Sequence, residues 1–407
     1  MVRRAPIRTG NVTRADSRRK DAIVVDFDLS EDQDQIRRLA RDFCDAEVTP
    51  GARELDRTEA FPDELLPKMF EVGFLGAPVP TEYGGMGVDY LSYGLIVEEL
   101  GRTDASMRSL VSVNVGLVAM TIVRWGSEEQ KREWLPRLTS EGLGAFGLTE
   151  PNAGSDPASM TTGASRDGDD WILNGSKMWI TNGSRGIVTI VFAQTDPDLG
   201  AKGITAFLVP QDSPGYEGTP QKGKLGLRAG DTAEVALRDV RVPDAYRLGE
   251  VGEGLKIALG ALDSGRFSLA AGCTGISQAC LDAARRYADE RVQFGRKISS
   301  FQLVQQLISE IFLDLEASRA LYWKVGWKHD KGERHTIESS VAKTFCSEAS
   351  VRNADRAVQV HGGYGYSDEY PVGRYLRDAR VTTLYEGTSQ IQRLLLGRHL
   401  TGENAFV

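Results

Sequence analysis

The residues that staple chains together or ligate metals are scarce. Four cysteines and four histidines are spread over 407 residues. Cys44, Cys273, Cys280 and Cys346 form no Cys-x-x-Cys pair. His329, His335, His361 and His399 stand at no metal-ligand spacing, so no metal site and no disulfide framework is expected. The cysteines read as small buried residues in a reducing, cytoplasmic setting. No apolar run approaches the ~20 residues that span a bilayer, so no membrane insertion is expected. Positive charge is in deficit, with 49 Lys+Arg against 57 Asp+Glu. A net charge of −8 argues against a nucleic-acid partner, which needs a basic face. P-loop, G-x-S-x-G and H-E-x-x-H patterns are missing, and a nicotinamide enzyme, a P-loop NTPase and an α/β hydrolase are all without support. Gly142-Leu-Gly-Ala-Phe-Gly147 matches G-x-G-x-x-G, but a helical pattern precedes it and strand-like sequence follows. A dinucleotide site needs the reverse order, so the match is set aside.

What is present is an ordinary globular composition, 41% hydrophobic and 26% charged, long enough for two or three domains. The first twenty residues carry seven Lys/Arg and one acid, Asp16. They lack the apolar core of a secretory signal, and residues 1–24 are read as a disordered basic tail.

Residues 25–143 read as an all-helical N-terminal domain. Phe27 to Arg41 has Ser30 as N-cap with Gln33 in the capping-box position, then Ile36, Leu39 and Ala40 at helical spacing. Further helices are expected over Pro62–Val72, Tyr90–Leu100 and Ser106–Val123, and after a Ser127 cap with Gln130 three residues on. The character changes near Gly142. Trp171-Ile-Leu-Asn-Gly-Ser-Lys-Met-Trp-Ile-Thr reads as two strands joined by an Asn-Gly hairpin turn. Ile187–Ala193, Ile204–Val209 and Ala233–Val242 are short β-branched runs between Gly and Pro. Residues 144–246 therefore read as an antiparallel β domain, a sandwich or a barrel. Helices return over 247–407, at Leu269–Asp289, Phe301–Tyr322, Thr336–Val360 and Ser389–His399. In the second of these, Val304, Leu307, Ile308, Ile311 and Leu315 share one face. The fold class is α+β multidomain, helices around an inserted β domain rather than alternating βαβ units.

Three stretches carry chemistry. In Leu384-Tyr-Glu-Gly-Thr-Ser-Gln-Ile-Gln-Arg393, Glu386 is a lone carboxylate beside a glycine that permits close backbone approach and a run of hydrogen-bonding side chains. That suits a general base next to a ligand, as it also suits an exposed acid at a helix start. Phe146-Gly-Leu-Thr-Glu-Pro-Asn-Ala-Gly-Ser-Asp156 is a broken polar loop whose amides, with Thr149 and Ser155, offer contacts to a polar ligand. Met178-Trp-Ile-Thr-Asn182 puts Trp179 and Thr181 on one face of a strand.

All three resemble segments of the acyl-CoA dehydrogenases, as do Lys224–Arg228, Asp239–Pro243, Arg291-Val-Gln-Phe-Gly-Arg296 and Gln359-Val-His-Gly-Gly-Tyr-Gly365. The order is the family's, over about residues 25–407. The resemblance implies an N-terminal α-domain, a middle β-domain and a C-terminal four-helix bundle, usually in a homotetramer, with one FAD per subunit. It implies that Glu386 takes the substrate's α-proton while a hydride passes to the flavin. Phe146, Leu148, Thr149, Trp179, Ile180 and Thr181 would line the isoalloxazine. Arg291, Phe294, Gln302, Gln359, Gly362, Gly363, Thr388 and Gln390 would hold the rest of the cofactor, some across a subunit interface. Ser155, Asp263, Arg266 and Gly387 fall where the family binds the acyl thioester. An electron-transfer flavoprotein is the implied acceptor.

For the substrate, Ser106-Met-Arg-Ser-Leu-Val-Ser112 resembles the glutaryl-CoA dehydrogenase branch. There Arg108, Ser109 and Ser112 would meet a distal carboxylate, and decarboxylation would follow. Two positions depart from that branch. Gly101 replaces an acid seven residues before the arginine, and Ser-Gln-Ile-Gln after the base is the general-family form. A thioester on an acyl carrier protein and a short monocarboxylic acyl-CoA are the alternatives.

Overall fold

The first helix starts where its cap predicts. In the computed structural model, which describes residues 28–405, α1 (Glu31–Phe43) follows Ser30. Ser30 Oγ accepts from Gln33 N at 3.2 Å, and Gln33 Oε1 accepts from Ser30 N at 3.0 Å. The basic tail predicted for 1–24 lies outside the described residues. α2 (Ala52–Thr58), which periodicity alone does not reveal, precedes α3 (Leu65–Glu71). α4 (Tyr90–Thr103) is capped by Asp89. The predicted helix from Ser106 is α5 (Ala105–Val111), a π-helical stretch (Ser112–Ala119) and α6 (Met120–Trp125) in succession. Ser127 and Gln130 form the expected capping box on α7 (Glu128–Ser140).

One expectation about membranes needs correction. Ala105–Trp125 is long and apolar enough to cross a bilayer, with a mean hydropathy of 1.5. It passes instead through the interior, 89% of its most apolar window being buried among the chain's own elements.

Eight strands follow: β1 (Gly144–Gly147), β2 (Gly163–Asp167), β3 (Asp170–Thr181), β4 (Val188–Gln194), β5 (Ile204–Pro210), β6 (Tyr216–Pro220), β7 (Thr232–Pro243) and β8 (Arg247–Leu248). They pair in the order β6-β7-β3-β2-β4-β5-β8, with β1 alongside β4. Most pairs are antiparallel, but β1 runs parallel to β4, and β2 meets β4 in parallel at Gly163. The predicted Asn-Gly hairpin does not form. Asn174 and Gly175 lie within the continuous strand β3, at a register shift against β7. A Cβ on Gly175 (φ 148°) would stand 2.6 Å from Thr162 Cα, so the glycine serves a close strand approach. The tight turn comes earlier, at Asp167–Asp170 around Gly168 (φ 64°). The G-x-G-x-x-G stretch holds strand β1 itself, immediately after a helix, as expected of a chance match.

β4 and β5 are buried on both faces. Val191, Ala193, Phe207 and Val209 pack with Trp171, Leu173 and Val235 inside the β region. Ile190, Phe192, Ala206 and Leu208 pack on helical residues such as Ile122, Trp134 and Ile257.

The last part is α8 (Gly254–Glu290), α9 (Gln302–Asp330), α10 (Thr336–His361), α11 (Val372–Val381) and α12 (Ser389–Thr401). α8, α9 and α10 share a core through Ile276, Cys280, Ile311, Leu315 and Ala354, and α12 packs on α10. α4 also lies on α8, at a distance that only glycine permits. A Cβ on Gly101 would fall 2.3 Å from Gly272 O. All four cysteines are free and buried.

Candidate active site

Glu386 sits in the connection between α11 and α12, in an uncommon backbone conformation. Glu386 (φ 56°) and Gly387 (φ 85°) are both left-handed. For a residue with a Cβ this costs about 1–2 kcal/mol, so the surroundings must hold it. They do so through its carbonyls. Lys343 Nζ donates to Gly387 O at 2.7 Å. Gln392 Nε2 donates to Glu386 O at 3.1 Å and to Gly387 O at 3.3 Å. Arg266 Nε reaches Glu386 O at 3.4 Å. Thr388 Oγ1 accepts from Ile391 N at 3.2 Å, capping α12.

The turn points the carboxylate at α8. Oε2 is shut off from solvent and has no hydrogen-bond partner. A Cβ on Gly265 would lie 2.4 Å from it, so only glycine at that position leaves the carboxylate where it stands. Burial pushes the carboxyl up to about 7, against the opposing pull of Arg108, Lys343 and Arg266.

Glu386 opens onto a cleft of about 520 Å³. Its walls include Arg108, Ser109 and Ser112, then Phe146, Leu148, Thr149 and Ser155, then Trp179, Ile180 and Thr181, and finally Arg266 and Gly387. Four separate stretches of the chain, around residues 108, 146, 179 and 266, thus converge on one carboxylate. Val113, Leu117, Leu255, Leu259, Leu262, Ile391 and Leu395 complete an apolar lining.

Trp179 is 59% exposed with φ 64°, within a bulge where the β3–β7 register shifts between Lys177 and Ile180. A large aromatic held in a strained conformation and left partly uncovered suits a ligand's flat face. Asn182 ties the end of β3 to β1, its Nδ2 donating to Gly144 O at 3.0 Å. A buried ion pair supports the same wall. Lys177 Nζ lies 2.7 Å from Glu150 Oε1, with neither side chain more than 3% exposed. Glu150 also accepts from the backbone N–H groups of Thr161 and Thr162. Burial would raise the Glu150 carboxyl, but Lys177 and these N–H groups hold it at about 2. The loop from Glu150 to Thr162, which bears Ser155, is thereby fastened to β3.

Arg108 is 1% exposed. Its Nη2 donates to Tyr385 Oη at 2.5 Å, while Nε and Nη1 have no partner. No ion pair to a carboxylate accompanies it among the described residues. A buried guanidinium whose Nε and Nη1 have no partner leaves hydrogen-bonding capacity unused at the cleft wall.

The remaining predicted residues stand elsewhere. Arg291, Gly362 and Gly363 line a separate hollow of about 560 Å³ with Tyr287, His361 and Tyr364. Gln390 lines a third with Arg352, Arg380 and Arg393. Phe294 is 94% exposed, and Gln302 and Gln359 are exposed. The single chain does not bring these into the Glu386 cleft. The resemblance assigns them to the remote parts of the cofactor, some across a subunit interface. Asp263 accepts from Arg266 Nη1 at 3.0 Å and from Thr336 Oγ1 at 2.7 Å, which places it behind the cleft wall.

Lys343, Lys177, Tyr385 and Gly265 were not among the predicted site residues. A signal for Lys343 exists, because helical spacing sets it on the stripe Ser339, Cys346, Ser350 and Ala357, all buried. A lysine in such a stripe needs a partner. Gly265 gives no local signal, since its role depends on what crosses it.

Three family models together match nearly the whole described chain. "Acyl-CoA dehydrogenase, N-terminal domain" matches residues 30–142, the middle domain 145–240 and the C-terminal domain 252–401. The mitochondrial short-chain specific acyl-CoA dehydrogenase of Mus musculus is 42% identical over 398 residues, covering 98% of this chain and 96% of that protein. The butyryl-CoA dehydrogenase structure from Megasphaera elsdenii superposes with a TM-score of 0.91 at 40% identity, covering 92% of this chain and 100% of that one. Glutaryl-CoA dehydrogenase from Mycobacterium smegmatis superposes with a TM-score of 0.89 at 39% identity, covering 93% and 97%. A glutaryl-CoA dehydrogenase from the same organism in complex with FADH2 superposes with a TM-score of 0.89 at 37% identity, covering 93% and 97%.

Proposed function

This chain belongs to the acyl-CoA dehydrogenase family of FAD-dependent oxidoreductases, and from that premise we propose that it desaturates a short acyl-CoA bearing a distal carboxylate, with Glu386 as the base. The observation that carries the reading is Glu386 itself. One oxygen of its carboxylate is shut off from solvent without a partner, and the side chain lines the cleft shared with Trp179, Phe146 and Thr149.

The chemistry follows from that environment. A proton α to a thioester is only weakly acidic, and an exposed carboxylate near its usual pKa is a poor base for it. Burial raises the affinity of Glu386 for a proton while the cations around it keep an ionised fraction at neutral pH. As the α-proton moves to the Glu386 carboxylate, the C–H electron pair becomes the new Cα–Cβ double bond. Bound FAD supplies the acceptor for the hydride that leaves Cβ. Phe146, Leu148, Thr149, Trp179, Ile180 and Thr181 form the wall that fits the flavin ring, its two hydroxyls set among apolar faces.

Arg108 supports the distal carboxylate. Its Nε and Nη1, which have no partner, leave donors to offer an anionic oxygen once Nη2 is committed to Tyr385, with Ser109 and Ser112 beside it. An acid at position 101 has no room while Gly101 packs on the Gly272 backbone, so Arg108 is not pre-paired from there. A homotetramer in the cytoplasm is proposed as the working form. Exposed Phe294, Tyr366, Leu303 and Leu313 support association through the C-terminal helices. The proposed acceptor is an electron-transfer flavoprotein.

The test is anaerobic titration of the flavoprotein with glutaryl-CoA and butyryl-CoA, and with the same acyl groups on an acyl carrier protein. Wild-type protein should lose its flavin absorbance with glutaryl-CoA, and Glu386→Gln should stay yellow. Bleaching of the Gln variant at the wild-type rate would remove Glu386 from its role. Bleaching by butyryl-CoA alone would remove the distal carboxylate, and bleaching only by carrier-bound substrate would replace CoA. Product analysis then separates glutaconyl-CoA, from desaturation alone, from crotonyl-CoA, which requires loss of CO2.

A further inference from the structure

Lys343 is an unusual residue for the middle of a helix core. It lies on α10 and is 0% exposed, yet its ammonium has a single hydrogen bond, to Gly387 O at 2.7 Å. An ammonium taken out of water is costly unless something answers its charge. No carboxylate pairs with it directly among the described residues. The carboxylate that acts on it most strongly is Glu386, next to the carbonyl it holds.

We propose that Lys343 is a positioning residue for the base. Its ammonium fixes the left-handed Glu386–Gly387 turn through Gly387 O and supplies counter-charge that keeps the Glu386 carboxylate ionised. This rests on the reading of Glu386 as the base.

The geometry asks for such a residue. Glu386 adopts φ 56°, and nothing in its own sequence imposes that. Gln392 and Arg266 also hold the turn's carbonyls, but Gln392 is neutral, and Arg266 is paired with Asp263 at 3.0 Å. Lys343 has no such carboxylate partner.

The charged and titratable groups around the carboxylate come from every neighbouring element. α5 contributes Arg108, α8 contributes Arg266, α10 contributes Lys343, and α4 contributes Tyr90 and Tyr93. The two tyrosines are neutral because burial drives their hydroxyls well above the ordinary range. Tyr385, adjacent in sequence, is likewise pushed up to about 12 by burial. Cys273 is a buried thiol whose pKa is raised too. Glu348, five residues further along α10, is ion-paired to Arg393 at 2.6 Å. Three cations therefore set the base. Burial lowers Lys343 to about 8, with Glu386 opposing the fall.

The sign is definite. A nearby cation favours the ionised carboxylate, so removing it raises the pKa of Glu386. Two variants separate the roles, since Lys343→Gln keeps a donor without charge and Lys343→Met removes both. The rate of anaerobic flavin bleaching is measured against pH for each. A second readout does not involve turnover: the infrared C=O stretch of the protonated Glu386 carboxyl, identified by its absence in Glu386→Gln, is followed against pH.

Both variants should move the acid limb and the infrared midpoint up by about one pH unit. Lys343→Met should also lower the plateau at high pH, about tenfold or more, as the turn loses its clamp. A purely structural lysine would lower thermal stability and leave both midpoints in place. Unchanged midpoints in folded, flavin-loaded Lys343→Gln would overturn the proposal while leaving Glu386→Gln inactive and the base intact. An active Glu386→Gln would instead mean that the reading beneath it had failed.

Discussion

Replacing Arg108 by methionine tests substrate class most directly. The guanidinium is 1% exposed with two N–H groups unused, so a ligand carboxylate placed there meets them in a desolvated site. Hydrogen bonds to charged groups contribute about 1.5–3 kcal/mol each. Truncating one member of a buried charged pair costs about 2–5 kcal/mol, much of it from the charge left unpaired. A loss of about 2–5 kcal/mol corresponds to about 30- to 5,000-fold in the bimolecular rate constant for flavin bleaching. The substitution also removes the bond to Tyr385 Oη and disturbs packing on Gly272. That damage weakens every substrate alike, so the informative quantity is a ratio. The assay compares glutaryl-CoA with pentanoyl-CoA, of similar length but uncharged at its end, in both proteins. The ratio should fall by at least about 30-fold in Arg108→Met, chiefly through glutaryl-CoA. An unchanged ratio in folded protein would make Arg108 a structural residue and refute the distal-carboxylate reading.

Two further perturbations address the base and the cleft wall. Gly265→Ala puts a Cβ 2.4 Å from Glu386 Oε2 and 2.7 Å from Leu117 Cδ2, while raising helix propensity in α8 by about 1 kcal/mol. Flavin bleaching should slow by about 100-fold with the thermal midpoint little changed, and a near wild-type rate would show that the carboxylate is not held against α8. Lys177→Met leaves Glu150 buried without its counter-charge, which should destabilise by about 3–5 kcal/mol in denaturant unfolding. Adding Glu150→Gln should recover part of that, and a double variant no more stable than the single would mean that the pair is not what anchors the loop.

Much of the architecture was legible because it rests on local chemistry. Ser30/Gln33 and Ser127/Gln130 announce helix starts through bonds made within four residues. The stripe from Val304 to Leu315 states which side of α9 faces the core. Other features were hidden for definite reasons. Asn174-Gly175 has the composition of a hairpin turn, but Gly175 is there to admit the backbone of Thr162, thirteen residues earlier. α2 spans only seven residues, too few for a helical period to repeat. Ala105–Trp125 is apolar enough for a membrane because it is enclosed on nearly every side by protein.

By itself the sequence determined the order of helices, strands and helices, the family, and the segment that holds Glu386, since these depend on residue order and periodicity. It could not decide how Glu386 would be used. Only the tertiary structure brought Arg108, Arg266 and Lys343 from three helices around one carboxylate, left two N–H groups of Arg108 idle, and set Gly101 against Gly272 where an acid has no room. The reason is physical. Burial, charge–charge interaction and steric contact depend on distance in space, and residues 108, 266, 343 and 386 acquire short distances only when the chain is packed.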